Sequence, residues 1–142
     1  MRTVRQLLDD KPSDVYSVVP GAPVIEAVRA MADHHIGALL VMEGARLAGI
    51  VSERDYARKV VLQGRASKDT PVRDIMTTQV ITVAPADTVD HCMRVMTDHR
   101  IRHLPVLDGD GVIGVLSIGD LVKAVIEAQR QELDHLQRYI AS

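Results

Sequence analysis

The chain has 142 residues, a formal net charge of −2, and no Phe or Trp beside Tyr16, Tyr56 and Tyr139. That length allows one compact domain or two very small ones. The charge provides no drive toward nucleic acid or an anionic membrane, and the missing aromatics remove any platform for stacking single-stranded bases.

In chain order, the N-terminal MRTVRQLLDDK is charged and amphipathic, with no apolar core of a leader peptide. A β-rich run, Val15–Val19, follows. A helix is expected next, with Pro23 in its first turn and Val24, Ala27, Val28 and Met31 at helical spacing. Two strands, Ala38–Met42 and Arg46–Val51, flank the turn Glu43-Gly44-Ala45, and a second helix begins after them. Gln63–Asp74 reads as a polar connector. The order then recurs. The run Val80–Val83 precedes a helix with Asp87 as the expected N-cap and Val89, Cys92, Met93 and Met96 on its apolar face. Strands His103–Leu107 and Val112–Ser117 flank the turn Asp108-Gly109-Asp110-Gly111. The last helix runs from about Ile118 toward Tyr139, with Leu121, Val125, Ile126, Leu133, Leu136 and Ile140 on or near one face. That stripe is either core or a dimer contact.

The recurrence is an internal repeat. Residues 15–60 align with 80–125 at a constant offset of 65, and 16 of the 46 positions are identical. The leading segment repeats as well: Thr3–Leu8 resembles Pro71–Met76 at an offset of 68, so the first copy carries three extra residues near Asp9-Asp10-Lys11. A unit of this size buries little surface and is marginal alone. The expected fold is therefore mixed α/β (α+β): two tandem β-α-β-β-α repeats packed as a pseudo-twofold module with a shared core. Its expected divisions are 1–66, 67–130 and a C-terminal helix extension, 131–142.

The sharpest motif is the duplicated strand-to-helix junction, Gly49-Ile50-Val51-Ser52-Glu53-Arg54-Asp55 and Gly114-Val115-Leu116-Ser117-Ile118-Gly119-Asp120. Serine followed three residues later by an acid is a helix capping box or a close variant, and an acid in the first turn suits the helix dipole. The same geometry offers N–H groups and a hydroxyl to a phosphate, and a carboxylate to ribose hydroxyls. Capping and binding can coexist.

The duplicated pattern resembles a pair of cystathionine-β-synthase-type (CBS) domains, a Bateman module. In the second copy the resemblance is carried by Thr82-Val83-Ala84-Pro85, by the stretch Met96–Val106 and by Gly114–Asp120. In the first it is carried by Val18-Val19-Pro20, Met31–Val41 and Gly49–Asp55, and the whole likeness reaches from Val4 to about Ala128. It implies a homodimeric regulatory protein. Such a protein binds AMP, ADP or ATP, in some cases NAD(H) or S-adenosylmethionine, in clefts between its copies, and acts on a partner chain whose identity the sequence does not reveal. Asp55 and Asp120 would hold ribose hydroxyls, with Ser52 and Ser117 near ribose or phosphate. Ser17 and Thr82 would lie beside the nucleotide, and Arg102 and His103 would meet its phosphate. Gly37 and Ala38 stand at the last two positions in the first copy, which implies an asymmetric pair of clefts.

Other chemistry finds little support. Gly109-Asp110-Gly111-Val112-Ile113-Gly114 matches a dinucleotide-binding glycine pattern, but a strand rather than a helix is expected after it, so it reads as a hairpin turn. Six histidines, His34, His35, His91, His99, His103 and His135, invite a metal reading, yet no acid or thiol completes a ligand set. Cys92 is the only cysteine, so no intrachain disulfide can form, which fits a reducing compartment. Its repeat partner is Ala27, so it reads as a core thiol rather than a nucleophile. Arg54, Arg58 and Lys59 either approach a phosphate or form a solvated helix face. No catalytic constellation is present, and no apolar run is long enough to span a bilayer. The expectation is a cytoplasmic adenylate sensor with no catalytic, nucleic-acid or membrane role. The alternatives are a ligand-free dimerisation module, a metal-binding protein or an enzyme.

Overall fold

In the computed structural model, which describes residues 2–11 and 14–141, the architecture is mixed α/β. Met1 and Ser142, the outer bounds of the expected first repeat and C-terminal extension, lie outside the described residues. The chain forms two compact units. One is Asp14–Ile81 with Gly109–Val112; the other is Met1–Ser13, Thr82–Asp108 and Ile113–Ser142. Each sequence copy's leading segment therefore lies in the unit built by the other copy's body.

In the first unit, β1 (Ser17–Val18) runs parallel to β2 (Ala38–Glu43), which pairs antiparallel with β3 (Arg46–Ser52). Between β1 and β2 lies α2 (Val24–His34), whose buried Val24, Ala27 and Met31 follow helical spacing. These three pack with Leu39, Val41, Val51, Val60, Val72 and Ile75 in one aliphatic core. After β3 comes α3 (Glu53–Tyr56), which continues into a π-helical segment, Ala57–Val61. A 3-10 turn, Val72–Asp74, closes the unit.

The second unit contains α1 (Val4–Asp9), α4 (Val89–His99), β4 (His103–Asp108), β5 (Gly111–Ser117) from Ile113 onward, and α5 (Ile118–Ala141). Val4, Leu7, Val83, Val89, Cys92, Met96, Leu104, Val106, Leu116, Leu121 and Ala124 are its buried apolar residues. The glycine-rich stretch after β4 is a hairpin turn, as expected. Gly109 and its counterpart Gly44 adopt φ of +63° and +60°, which glycine tolerates without strain.

Matching backbone bonds hold the two leading segments. The Val4 N–H donates to Asp87 O at 2.8 Å and the Arg5 N–H to Pro85 O at 2.9 Å. Their repeat counterparts, Val72 and Arg73, donate to Ala22 O at 2.8 Å and to Pro20 O at 2.9 Å. So Gln63–Asp74 is more than a connector: its end, with buried Thr70 and Val72, completes the first unit's core.

Local differences from the sequence expectation have physical causes. Pro23 is the N-cap of α2 rather than a first-turn residue. Its counterpart Thr88, not Asp87, caps α4 by accepting the His91 N–H, while Asp87 accepts the Ala84 N–H at 2.7 Å. The run Val80–Val83 shrinks to one parallel bridge, Val83 to Val106. In the first unit the Leu40 N–H reaches Tyr16 O; the residue at that place in β4 is Pro105, which has no N–H to give.

Close approach explains a second glycine pair. A Cβ on Gly49 would lie 2.8 Å from both Met76 Sδ and the Thr77 carbonyl oxygen, and one on Gly114 would lie 2.6 Å from Leu8 Cδ2. Backbone cannot retreat as a leucine methyl can. Gly49→Ala should therefore destabilise the protein by about 1–3 kcal/mol, the usual cost of overpacking, and Gly114→Ala by clearly less. Urea unfolding of the two variants checks this; equal effects would contradict it.

Candidate functional site

Both strand-to-helix junctions carry the reciprocal cap that their spacing predicts. At the first, Ser52 Oγ accepts the Asp55 N–H at 3.1 Å, and the Ser52 N–H donates to Asp55 Oδ2 at 2.9 Å. At the second, Ser117 Oγ accepts the Asp120 N–H at 3.2 Å, and the Ser117 N–H donates to Asp120 Oδ2 at 2.8 Å. Each junction is also tied to the preceding strand. The Glu53 N–H donates to Gly37 O at 3.0 Å, and the Ile118 N–H to Arg102 O at 2.8 Å. In the second unit the Arg102 backbone is thereby held at the start of the last helix, with His103 next in the chain. In the first unit the same places hold Gly37 and the buried Ala38, which pairs with Ser52 across β2 and β3.

The remaining site residues fall in the same units. Ser17 is exposed on β1 opposite Leu40, two positions along β2 from Ala38. Thr82 is partly exposed and directly precedes the Val83 bridge. The first unit thus collects Ser17, Ser52 and Asp55, and the second collects Thr82, Arg102, His103, Ser117 and Asp120. Arg102 is exposed and His103 partly so.

Each aspartate has a lysine partner, but from a different element. Lys59 lies 3.2 Å from Asp55 Oδ1, one turn along the same helix, and donates to Ile75 O at 2.8 Å. The counterpart of Lys59 is Ala124, so the second unit has no lysine there. Lys11 supplies one instead. Its Nζ lies 2.9 Å from Asp120 Oδ2 and 2.8 Å from Val115 O. In the first unit the residue matching Val115 is Ile50, which exchanges two backbone bonds with Thr77. An ammonium group therefore replaces a backbone bridge. Sequence reasoning missed Lys11; its one trace there is the three-residue break in the repeat offset.

The two carboxylates consequently differ. Asp55 engages both oxygens and its side chain is 16% exposed. Asp120 receives Lys11 and Ser117 on Oδ2, and its side chain is 29% exposed. Burial alone would raise the Asp120 pKa, but the Ser117 N–H and the Lys11 ammonium outweigh it and hold the carboxyl below its ordinary value.

Among the described residues no group of three or more His, Cys, Asp and Glu could hold a metal ion. His99 ends α4 and His103 opens β4, so the two share no helical face. Cys92 is fully buried, and burial, with Asp87 adding, pushes its thiol up to about 11, the opposite of nucleophile activation. Arg54 and Arg58 are exposed on their helix. The sequence also did not reveal that Tyr16 stacks on His34, with ring centroids 3.6 Å apart.

Comparison with known proteins agrees with this architecture. The CBS-domain profile matches residues 4–62 and 72–127. The chain is 51% identical over 122 residues to the CBS domain-containing protein CBSX3, mitochondrial, of Arabidopsis thaliana, covering 82% of this chain and 59% of that protein. It is 33% identical to the CBS domain-containing protein YhcV of Bacillus subtilis, over 80% of each chain. A solved protein with CBS domains from Burkholderia ambifaria superposes with a TM-score of 0.87 at 55% identity, covering 90% of this chain and 96% of that one. The chain belongs to the CBS-domain family. It is a tandem CBS-domain protein, and proteins of that kind are regulatory or signal-transduction modules. The chain spans less than two thirds of the length of its Arabidopsis relative, and no helix among the described residues is long and apolar enough to cross a membrane.

The lowered Asp120 pKa has a consequence for stability. A carboxyl whose folded pKa lies below its unfolded value contributes stability above the unfolded value, near pH 3.9, and loses it as pH falls through the folded one. Urea unfolding between pH 6 and pH 2.5 should show a steeper acid loss in the wild type than in Asp120→Asn. Lys11→Met should move the Asp120 carboxyl resonance midpoint upward. Superimposable acid profiles for wild type and Asp120→Asn would contradict the assignment.

Proposed function

We propose that this protein is a regulatory sensor of adenine nucleotides that performs no catalysis itself. The observation that carries the reading is the second unit's junction. There a helix N-terminus, the Ser117 hydroxyl and the Asp120 carboxylate stand beside Arg102 and His103. This set matches the parts of a nucleoside monophosphate. A carboxylate accepts bonds from vicinal ribose hydroxyls, while a guanidinium and a helix N-terminus receive a phosphate. The aliphatic composition suits a base held between apolar side chains.

The two junctions are unequal in this reading. Asp55 is spanned by Ser52 and Lys59, with no cation at Gly37 or Ala38. Asp120 keeps one oxygen outside its Ser117 and Lys11 bonds, and the backbone of Arg102 accepts the Ile118 N–H at the same helix start. The second junction is therefore the tighter site. AMP is the favoured ligand, with ADP, ATP, NAD, NADH and S-adenosylmethionine as the other candidates. Binding regulates another chain by favouring one of two conformations, to the extent of the ligand's differential affinity for them. A cytoplasmic or other reducing location is part of the same reading.

A calorimetric and thermal-shift screen of these six ligands tests it, because a ligand of the native state raises Tm by mass action. One should bind and stabilise the protein. Asp120→Ala should lose about 0.5–2 kcal/mol of stability as a lost cap, yet weaken the ligand well beyond that, and more than Asp55→Ala does. Absence of binding by all six to folded, ligand-free protein would overturn the proposal.

A further inference from the structure

The segment that carries Lys11 is firmly held. The Val4 and Arg5 N–H groups donate to Asp87 O and Pro85 O, Leu7 is buried, and Leu8 lies against Gly114. Lys11 follows three residues later. Its Nζ donates to the carbonyl of Val115, the residue after Gly114, and to Asp120 Oδ2. Its side chain is 30% exposed.

The two junctions spend their hydrogen-bonding groups differently. At the first, the Ser52 N–H and the Ser52 hydroxyl both donate to Asp55 Oδ2, at 2.9 and 3.1 Å, while Lys59 lies on Oδ1. Both carboxylate oxygens and the serine proton are therefore engaged inside the cap. At the second, Oδ2 of Asp120 receives the Ser117 N–H and the Lys11 ammonium. A carboxylate oxygen has two lone pairs, so these two donors fill it. The Ser117 hydroxyl accepts the Asp120 N–H, but among the described residues it makes no bond to the carboxylate like that of Ser52. Lys11 has taken that place. Three groups remain for a ligand: Asp120 Oδ1 as acceptor, the Ser117 O–H as donor, and the third of the ammonium's N–H bonds.

We propose that Lys11 is a positioning residue that sets the specificity of the second junction, turning a self-satisfied cap into an open one that selects a ribose with both hydroxyls free. The inference rests on the nucleotide reading above. One hydroxyl of a vicinal diol donates to Oδ1, while the two hydroxyl oxygens accept from Ser117 and Lys11. A deoxyribose lacks one of those oxygens and leaves a junction donor unmet. A ribose 3′-phosphate has no proton for Oδ1 and sets a second anion beside the carboxylate, an element of rejection rather than of attraction.

Calorimetry on the full chain at neutral pH tests this. The wild type should bind AMP more tightly than 2′-deoxy-AMP, 3′-deoxy-AMP or adenosine 3′,5′-bisphosphate. In Lys11→Met the Ser117 hydroxyl should turn onto Oδ2, as that of Ser52 does. AMP should then bind about tenfold more weakly, and its preference over the two deoxy analogues should collapse toward one. Arg2→Met is the control, because it breaks the same segment's pair with Glu127 and leaves the junction bonds intact; its AMP affinity should match the wild type. Unchanged or tighter AMP binding in Lys11→Met overturns the proposal, the lysine then being a bystander or a competitor. A weaker affinity with the deoxy discrimination intact also overturns it, since the charge alone then matters. So does an equal loss in Arg2→Met, which would make the effect one of segment packing. A wild type that does not bind AMP overturns the proposal as well, whereas the nucleotide reading falls only if all six ligands of the screen fail.

Discussion

At each junction between the last strand of a repeat and the helix after it, one carboxylate oxygen accepts the N–H of a serine three residues earlier. The serine hydroxyl oxygen in turn accepts the aspartate N–H. This reciprocal pair satisfies donors that a helix start would otherwise leave open. It also holds the serine backbone extended, at φ −123° and ψ 165° for Ser52, so the strand delivers its chain straight into the helix. The next N–H is thereby aimed at Gly37 O or Arg102 O, which locks the opening of the neighbouring strand beside the helix N-terminus. Every residue assigned to a nucleotide is placed relative to this junction. At the second junction the cap orients Asp120 and helps hold its carboxyl below the ordinary value, so a ligand there would find an acceptor that needs no further ordering.

The duplicated core imposes a second constraint. Each repeat's leading segment lies in the unit built by the other copy's body, through paired bonds of 2.8 and 2.9 Å in both. Glycine at positions 49 and 114 lets Met76 and Leu8 lie against the strand. One difference between the copies falls at the junction itself. Three additional residues after α1 exchange a backbone bridge for the Lys11 ammonium, and a lysine lost from the second helix is replaced by one from the N-terminal segment. The carboxylates keep the same caps but take their lysine partners from different segments of the chain.

Much of this was legible in the sequence because it depends on spacing. The gapless offset placed both hairpins, both Ser–Asp caps and both helix ends, since short-range geometry decides these. Membership of the two units was not legible. The offset says that Val4 and Val72 are equivalent, but nothing local says which core each will enter; that is settled by long-range packing. Lys11 was invisible for the same reason, as its partner lies 109 residues away. The Val80–Val83 run kept its β-rich composition and lost its strand, because pairing depends on a partner N–H that Pro105 lacks. The apolar stripe of α5 was visible as periodicity, but only the structure shows that Leu121 and Ala124 enter the core while Leu133, Leu136 and Ile140 stay exposed.

The central claim is that the carboxylate capping the last helix also receives the ribose of a bound nucleotide. The most direct measurement is a cycle of affinities, AMP against 2′-deoxy-AMP, on the wild type and on Asp120→Asn. The account predicts that removing the hydroxyl weakens binding strongly in the wild type and little in the variant, so that the two changes are not additive. Equal penalties in both proteins would show that the ribose does not meet Asp120, and the carboxylate would then be a helix cap alone.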